Sequence, residues 1–176
     1  MSNMNQAFQN IIPKSSITET QVQVWELLNT VADPEIPVLS VIDLGIVRDI
    51  KIENETLEVI ITPTYSGCPA MDLIGMNIRE KLMENNFDKI RITHRLSPAW
   101  TTDWMTDEGK EKLKSYGIAP PSSKTFDNDY LKNLPVQCPH CTSRNTKLIS
   151  QFGATSCKAL YQCEDCREPF DYFKCH

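Results

Sequence analysis

Two closely spaced pairs of cysteines near the end of the chain constrain its fold more than any other feature. The pairs are Cys138 with Cys141 and Cys163 with Cys166, and 21 residues separate them. Two-residue spacing places both thiolates of a pair on one tight turn, and two such turns supply a tetrahedral Zn²⁺ site with sulfur bonds of about 2.3 Å. The spacing therefore predicts a zinc ribbon over residues 135–176, with these four cysteines as ligands.

The ribbon region is too short to fold on an apolar core alone. Segments below about 40 residues usually need a metal, disulfides or a partner. A structural zinc contributes roughly 10–16 kcal/mol of apparent binding free energy, which acts as folding energy. The alternative is a thiol–disulfide motif, but a redox CxxC usually stands alone at a helix start, so two matched pairs favour zinc.

Charge and composition indicate the cellular compartment of the protein and the classes of ligand that it is not expected to bind. The chain of 176 residues carries a net charge of −5 and seven cysteines, and its first residues lack the features of a signal peptide. Thiol-rich chains without such a signal are typical of a reducing compartment, so we expect a cytoplasmic protein. No apolar run reaches the roughly 20 residues of a membrane span, and no basic patch indicates nucleic acid as a ligand.

The region before the ribbon shows the pattern of a small α+β domain. Residues 1–17 are polar and expected to be flexible. Thr18 and Gln21 form a capping box for a helix over residues 18–31. Two alternating apolar runs then predict a β-hairpin closed by a short polar turn, at residues 46–52 and 57–61.

A second helix and a third strand complete this domain. The helix begins at Cys68, has Pro69 at its first position, and is followed by an alternating strand over residues 90–96. A strand–helix–strand crossover places its two strands parallel. The order α-β-β-α-β predicts a small mixed sheet with helices packed on it.

A further helix and a linker are expected before the ribbon. Residues 106–116 have helical spacing, and Gly117 is well placed to end the helix. Residues 118–134 contain the Pro120–Ser123 run of turn formers, so they read as a linker. The predicted domains are therefore residues 18–117, with the closing helix, and the ribbon at 135–176.

Cys68 is the residue of the first domain that most strongly indicates chemistry. It lies in Ser66–Gly67–Cys68–Pro69, at a predicted helix N-terminus. The helix dipole and free backbone N–H groups there favour a thiolate and would lower the pKa of this cysteine. A thiolate is what metal ligation, cluster ligation or nucleophilic attack requires. The alternative is a small buried side chain that only packs.

Other candidate residues have structural interpretations as well. A nucleophilic cysteine needs a base, and His94, the one histidine of the first domain, alternates with apolar residues as a sheet residue does. Asp33, Glu35 and Asp43 lie in loops rich in Pro and Gly, where acidic residues are usually turn formers but can also ligate a metal.

The ribbon holds two cysteines that a closed zinc site does not need. Cys157 and Cys175 flank the second pair on predicted strands, so they could lie near each other. Packing and a second metal or cluster site both remain open for them. Trp100 and Trp104 form either a binding surface or a cover over the sheet.

Three motifs of the first domain point to a known family: Asp33–Pro37, Val41–Val47 and Thr62–Pro69. With these motifs the chain resembles, over about residues 20–97, the iron–sulfur assembly domain that is also found in SufT-type maturation factors. This resemblance implies that Cys68 handles a cluster and that Asp33 lies near it.

The remainder of the chain indicates a more specific family. Ser97–Trp104 and the ribbon ending Arg167–His176 are similar to the PaaD family, which belongs to the phenylacetyl-CoA epoxidase system. The resemblance implies an accessory protein of aerobic phenylacetate breakdown, which matures a di-iron oxygenase and is not itself an enzyme. Its implied partners are the epoxidase components, including the iron–sulfur reductase, to which it would deliver a transient iron–sulfur cluster.

One first-domain thiol per chain cannot hold a cluster alone, because clusters are normally bound by several thiolates. Sharing within a homodimer, with a partner's cysteines, with glutathione, or with Cys157 and Cys175 would supply the other ligands. The rival hypothesis is a structural or regulatory subunit of the oxygenase that binds zinc only. A ribbon-type nucleic-acid binder and an enzyme acting alone are less well supported.

Overall fold

The computed structural model describes residues 18–65, 67–121, 131 and 134–174. The segment 1–17, which was expected to be flexible, lies outside the described residues, as do Cys175 and His176. Among the described residues, three helices and seven strands form two sheets with their covering layers. They are α1 (Glu19–Leu28), β1 (Val47–Glu53), β2 (Thr56–Ile61), α2 (Ala70–Met83), β3 (Ile90–His94), a 3₁₀ turn (Thr102–Trp104), α3 (Asp107–Ser115), β4 (Ile118–Ala119), β5 (Thr146–Ser150), β6 (Lys158–Cys163) and β7 (Pro169–Phe173).

Helix α1 begins as predicted and ends earlier than expected. The Thr18 side chain accepts from the backbone N–H of Gln21, and the Gln21 side chain accepts from the Thr18 N–H, which completes the capping box. The last turn tightens, because the N–H groups of Thr30 and Val31 donate to carbonyls three residues back. The helix therefore stops at Leu28.

The first sheet has the predicted α-β-β-α-β arrangement. Strand β1 pairs antiparallel with β2, and β2 pairs parallel with β3, so the sheet is mixed. Asn54 and Glu55 close the hairpin with left-handed backbone angles, as a two-residue turn between twisted strands requires. The apolar faces of α1 and α2 share one buried core with the sheet, which includes Leu28, Val59 and Ile78.

Helix α3 is tied to the domain by a buried carboxylate. Asp43 accepts hydrogen bonds from the Ser40 N–H and the Thr106 hydroxyl, and its Oδ2 lies 2.9 Å from Lys112 Nζ. Thr106 also caps the helix by accepting from the Gly109 N–H. Asp43 therefore acts as a turn former and an anchor.

The two tryptophans lie in the segment that follows β3 and pack against the loop before β1 and the start of β1. Trp100 is buried, and its indole N–H donates to the Leu44 carbonyl at 2.8 Å. Gly45 has a φ of +65°, and a Cβ there would lie 2.1 Å from the Trp104 carbonyl oxygen, so only glycine fits. The Trp104 ring packs under the Arg48 guanidinium at 3.5 Å. These contacts support the packing interpretation of both tryptophans.

The second sheet is the ribbon, extended by one strand from the expected linker. Its order is β4-β7-β6-β5, and Ile118 and Ala119 pair parallel with Asp171 and Tyr172 of β7. The prediction of a linker from residue 118 is therefore wrong at its first two residues. They follow directly after Gly117, whose φ of +90° ends α3 and turns the chain onto the ribbon.

The ribbon also contributes to the core of the first domain. Cys157 and Phe173 are buried in the same apolar cluster as α1, α2 and the first sheet. The Phe173 ring meets the Trp100 ring edge-on, with centroids 6.1 Å apart. The two expected domains therefore share a core at this junction.

No helix of the residues that the structure describes is long and apolar enough to cross a membrane.

The shared core predicts a large loss of stability when Phe173 is truncated. Phe173 is 2% exposed and Phe152, on the same ribbon, is 58% exposed. We expect Phe173→Ala to lower the free energy of unfolding by about 3–5 kcal/mol, measured by urea denaturation. The matched control Phe152→Ala should cost no more than about 1 kcal/mol, including its contact with Lys174. Equal losses in the two variants would contradict the shared core.

Candidate metal and thiol sites

The four cysteines of the two CxxC pairs lie together at one end of the ribbon. Their Sγ atoms all lie within 4.8 Å of one another. Cys138 begins one turn, which closes when the Thr142 N–H donates to the Cys138 carbonyl, and Cys163 ends strand β6. The prediction that these residues form one group is confirmed, and His140, which is exposed, is not part of it.

The sulfur separations fit a tetrahedral metal site. Cys138 and Cys166 are 3.8 Å apart at Sγ, and Cys141 and Cys163 are 3.5 Å apart. A tetrahedron with metal–sulfur bonds of about 2.3 Å has edges of about 3.8 Å, so one ion can contact all four atoms. Backbone N–H groups of Cys166 and Asp165 lower the pKa of Cys163 to about 7, whereas desolvation and the neighbouring thiols raise the pKa of Cys166 to about 12. Without a metal ion the four thiols therefore do not all ionise, and a bound cation would displace the remaining protons.

Cys68 lies at the rim of a separate cavity in the first domain. It precedes α2 by two residues, and Pro69 occupies the capping position of that helix instead of the expected first helical position. The Cys68 N–H donates to the Tyr65 carbonyl, which closes the turn at Gly67. Cys68 is half-buried.

The expectation of a low pKa for Cys68 is wrong. Burial among apolar side chains raises the pKa of this thiol, and the nearby Glu35 and Asp33 raise it further. The Ala70 N–H at the helix start acts in the opposite direction but does not outweigh burial. The helix N-terminus is present as predicted, and its effect on Cys68 is smaller than that of the apolar and acidic surroundings.

Asp33 lies in the same cavity, in a loop that its own side chain holds together. The backbone N–H groups of Glu35 and Ile36 donate to Asp33 Oδ1 at 2.9 and 2.7 Å. The Asp33 side chain is buried, and burial raises its pKa although both hydrogen bonds oppose this. Asp33 therefore forms the turn and also lines the cavity beside Cys68.

Cys157 reaches the same cavity from the ribbon. It lies just before β6 and far along the chain from Cys68, and it is buried. Its thiol donates to Glu35 Oε2 at 3.8 Å, and Thr155 Oγ1 lies 3.1 Å from its sulfur. The sequence analysis named Cys157 and Cys175 among the thiols that could share a cluster with Cys68. Cys157 does line the same cavity as Cys68, whereas Cys175 lies outside the described residues.

The cavity is lined by apolar side chains and by a small set of carboxylate, hydroxyl and thiol groups. Its volume is about 20 Å³. Tyr65 borders it by hydrogen bonds with both Cys68 and Ser156, a ribbon residue. His94 is exposed on the edge strand β3, and no histidine occurs among the described residues that line the cavity. The polar and thiol-bearing lining residues are Asp33, Glu35, Thr64, Cys68 and Cys157, and the apolar ones include Ile36, Met71, Ile74 and Phe173.

The two parts of the chain each match a family model. Residues 21–85 match the family described as iron-sulfur cluster assembly protein, and residues 122–174 match the PaaD zinc beta ribbon domain. Together with the mixed sheet and the four-cysteine group, these matches define an α+β iron–sulfur assembly domain that carries a C-terminal ribbon.

A relative from Escherichia coli strain K12 covers both parts. It is provisionally named as a subunit of 1,2-phenylacetyl-CoA epoxidase, and it is 49% identical over 92% of this chain and 97% of its own length. The chain belongs to the family of this epoxidase subunit, which is the PaaD family.

Two further similarities concern the first domain. An Fe-S protein maturation auxiliary factor of Porphyromonas gingivalis is 33% identical over 54% of this chain and 91% of its own length. A solved domain of unknown function from Bacillus anthracis is 25% identical, covers 52% of this chain and 89% of its own, and has a TM-score of 0.49.

The raised pKa of Cys68 predicts slow alkylation near neutral pH. A thiol with a raised pKa carries less thiolate at pH 7.5, and the thiolate is the nucleophile. We expect iodoacetamide to modify Cys68 more slowly than N-acetylcysteine at pH 7.5, with the rate still rising above pH 9. Peptide mass spectrometry of zinc-loaded protein assigns the site. A faster reaction than N-acetylcysteine at neutral pH would show that the helix N-terminus dominates after all.

Proposed function

We propose that the protein is an accessory factor of aerobic phenylacetate degradation, needed to mature the phenylacetyl-CoA epoxidase by iron–sulfur cluster assembly or delivery. The observation that carries the proposal is the combination of 49% identity to an epoxidase subunit with a thiol-bearing cavity in an iron–sulfur assembly domain. The cluster is cargo in this proposal, and Cys68 is the residue that binds or passes it.

Cys68 suits a transient ligand better than a catalytic nucleophile. Burial keeps its thiol protonated in the free protein, and a metal centre displaces that proton when it binds. The cavity offers carboxylates but no histidine from the described lining residues to act as a base. The proposed role is therefore maturation, without catalysis by this chain alone.

The ribbon is proposed to hold a structural zinc ion. Four thiols with tetrahedral separations leave no open position for chemistry, which is typical of structural zinc. When bound, zinc would fix the two turns of Cys138 to Cys141 and Cys163 to Cys166. The ribbon would thereby keep its strands, and Phe173, in position against the first domain.

The proposed partners are the epoxidase components, above all the iron–sulfur reductase component, and the proposed compartment is the cytoplasm. Neither nucleic acid nor a membrane surface is proposed as a ligand, because the net charge of −5 repels both phosphate and anionic lipid. A homodimer is one arrangement that would bring together two Cys68 thiols for one cluster.

A zinc-only structural or regulatory subunit is the second candidate function. The word subunit in the name of the relative favours it. Purification distinguishes the two candidates, because a structural subunit remains bound to the oxygenase at fixed stoichiometry. A maturation factor instead leaves its client after the cluster has been transferred.

Cluster loading tests the role of Cys68. We expect anaerobic reconstitution with iron and sulfide to give an optical iron–sulfur spectrum, and Cys68→Ser to lose most of it because a cluster needs thiolate ligands. Transfer to the metal-free reductase component should fail in the same variant. The zinc content of the variant should equal that of the wild type, as an internal control. Equal cluster uptake by both proteins would exclude Cys68 as the ligand.

Zinc removal tests the ribbon. We expect Cys163→Ser to lower zinc from one ion per chain, measured by plasma emission spectroscopy, and to unfold the ribbon because metal binding supplies its folding energy. The matched control is His140→Ala, which changes a residue inside the first turn that is not one of the four clustered cysteines. The control should keep its zinc. A full zinc complement in Cys163→Ser would contradict the four-cysteine site.

A further inference from the structure

We propose that the outer edge of strand β3 binds an extended segment of a partner protein in which acidic and apolar residues alternate, and that this segment adds a strand to the first sheet. Its carboxylates would meet arginines on one face of the sheet, and its apolar side chains would meet helix α2 on the other. The inference goes beyond the proposed function and does not depend on it, because it concerns the chemistry by which a partner is recognised.

The backbone of β3 offers hydrogen-bonding groups to such a segment. Strand β3 is the last strand of its sheet and pairs with β2 on one side. The Arg95 N–H donates to the Ile61 carbonyl, so the residues that alternate with Arg95 direct their backbone groups away from β2. Among the described residues, no group hydrogen-bonds the N–H or C=O of Ile92 or His94. An edge of this kind is a template for strand addition.

One face of the sheet beside this edge carries arginines that lack carboxylate partners. Arg91 and Arg95 are exposed and alternate along the chain with Ile92. Arg48 is half-buried over the Trp104 ring, and burial together with the nearby Arg95 lowers its pKa. Within the described part of the chain, none of the three arginines forms an ion pair. A carboxylate of a partner would relieve the repulsion between Arg48 and Arg95.

The positive charge of this edge contrasts with the rest of the molecule. The chain has a net charge of −5, but residues 89–102 contain Lys and Arg and no Asp or Glu. The nearest carboxylate of the central strand is already engaged, because Glu58 Oε1 accepts from the Thr93 hydroxyl at 2.6 Å. Charge complementarity therefore favours an acidic partner segment.

The other face of β3 is bordered by exposed apolar side chains of α2. A Cβ on Gly75 would lie 3.8 Å from Ile92 Cγ2, so α2 covers the face of the sheet that carries Ile92. Arg79 donates to the carbonyl of the first β3 residue at 3.0 Å, which places its side of the helix beside the outer edge. Met76 and Met83 lie one turn before and one turn after Arg79, and they are 66% and 57% exposed. Apolar side chains of an added strand would cover them.

An alternating segment fits both faces, and the other occupants do not. Successive side chains of a strand point to opposite faces, so acidic residues can meet the arginines while apolar ones meet α2. Two β3 strands of two copies, paired antiparallel about Thr93, would set Arg91 of one chain against Arg95 of the other, and like charges directly opposite are destabilising. A nucleic acid would neutralise the arginines but leave the apolar side chains of α2 exposed.

Peptide binding to zinc-loaded full-length protein tests the edge. The probe is a fluorescent, amidated octapeptide in which glutamate and valine alternate, used where it sediments as a monomer. One control peptide has the same composition in separate blocks of glutamate and valine, and the other alternates lysine with valine. We expect the probe to bind in a fluorescence anisotropy titration, more weakly as NaCl is added. Both controls should bind at least about tenfold more weakly.

Amide hydrogen exchange, followed by NMR, shows where the probe binds. The N–H groups of Ile92 and His94 should exchange more slowly when the probe is present, because they would donate to its carbonyls. The Arg95 N–H is an internal control, since it already donates to β2 and should change little.

A double variant tests the arginines. Arg91→Gln combined with Arg95→Gln should weaken probe binding about tenfold, and the melting temperature should stay that of the wild type because both residues are exposed. The matched control, Arg144→Gln with Lys147→Gln, removes the same charge from exposed residues of the ribbon and should bind the probe as the wild type does.

Several results would overturn the proposal. These are equal binding of the alternating and the blocked peptides, unchanged exchange at Ile92 and His94, and wild-type affinity in the Arg91 and Arg95 double variant. A dimer in which the two amides are already protected, or tighter binding of a duplex DNA oligonucleotide than of the probe, would also overturn it, because the edge would then have a different occupant.

Discussion

The burial of one ribbon edge in the core of the first domain is the contact on which the rest of the structure depends. Phe173 packs edge-on against Trp100, and Trp100 is held by its hydrogen bond to the Leu44 carbonyl. Burying an aromatic ring of this size contributes roughly 1.5–3 kcal/mol. The same contact brings Cys157 to the cavity of Cys68. Together with the pairing of β4 and β7, this contact joins the two units into one core.

The sequence predicted local structure well because local forces determine it. The capping box of Thr18, the hairpin around Asn54, and the parallel pairing of β2 with β3 each follow from neighbouring residues or from chain connectivity. The two CxxC pairs behaved in the same way, since the ligands of each pair lie on one turn. In each case a few adjacent residues contain all the information that the geometry needs.

Prediction from the sequence failed where segments that are distant along the chain meet in the fold. The pairing of Ile118 with Asp171 spans a long stretch of chain, and nothing in a two-residue strand distinguishes it from a linker. The pKa of Cys68 was assigned the wrong direction because the helix terminus is visible in the sequence, whereas the desolvating side chains are not. Glu35 follows Asp33 by two residues in the same motif, so it could have been assigned to the cavity together with Asp33.

Strand β6 sets the distance between the two ends of the ribbon. Cys157 immediately precedes the strand and Cys163 ends it, six residues apart and therefore on the same face. At the rise of an extended strand this separation is about 20 Å. Neither a metal ion nor a sulfide can pass directly between sites that far apart. The strand is thus a spacer of fixed length, which keeps the four-cysteine group and the thiol-lined cavity chemically separate while joining them mechanically.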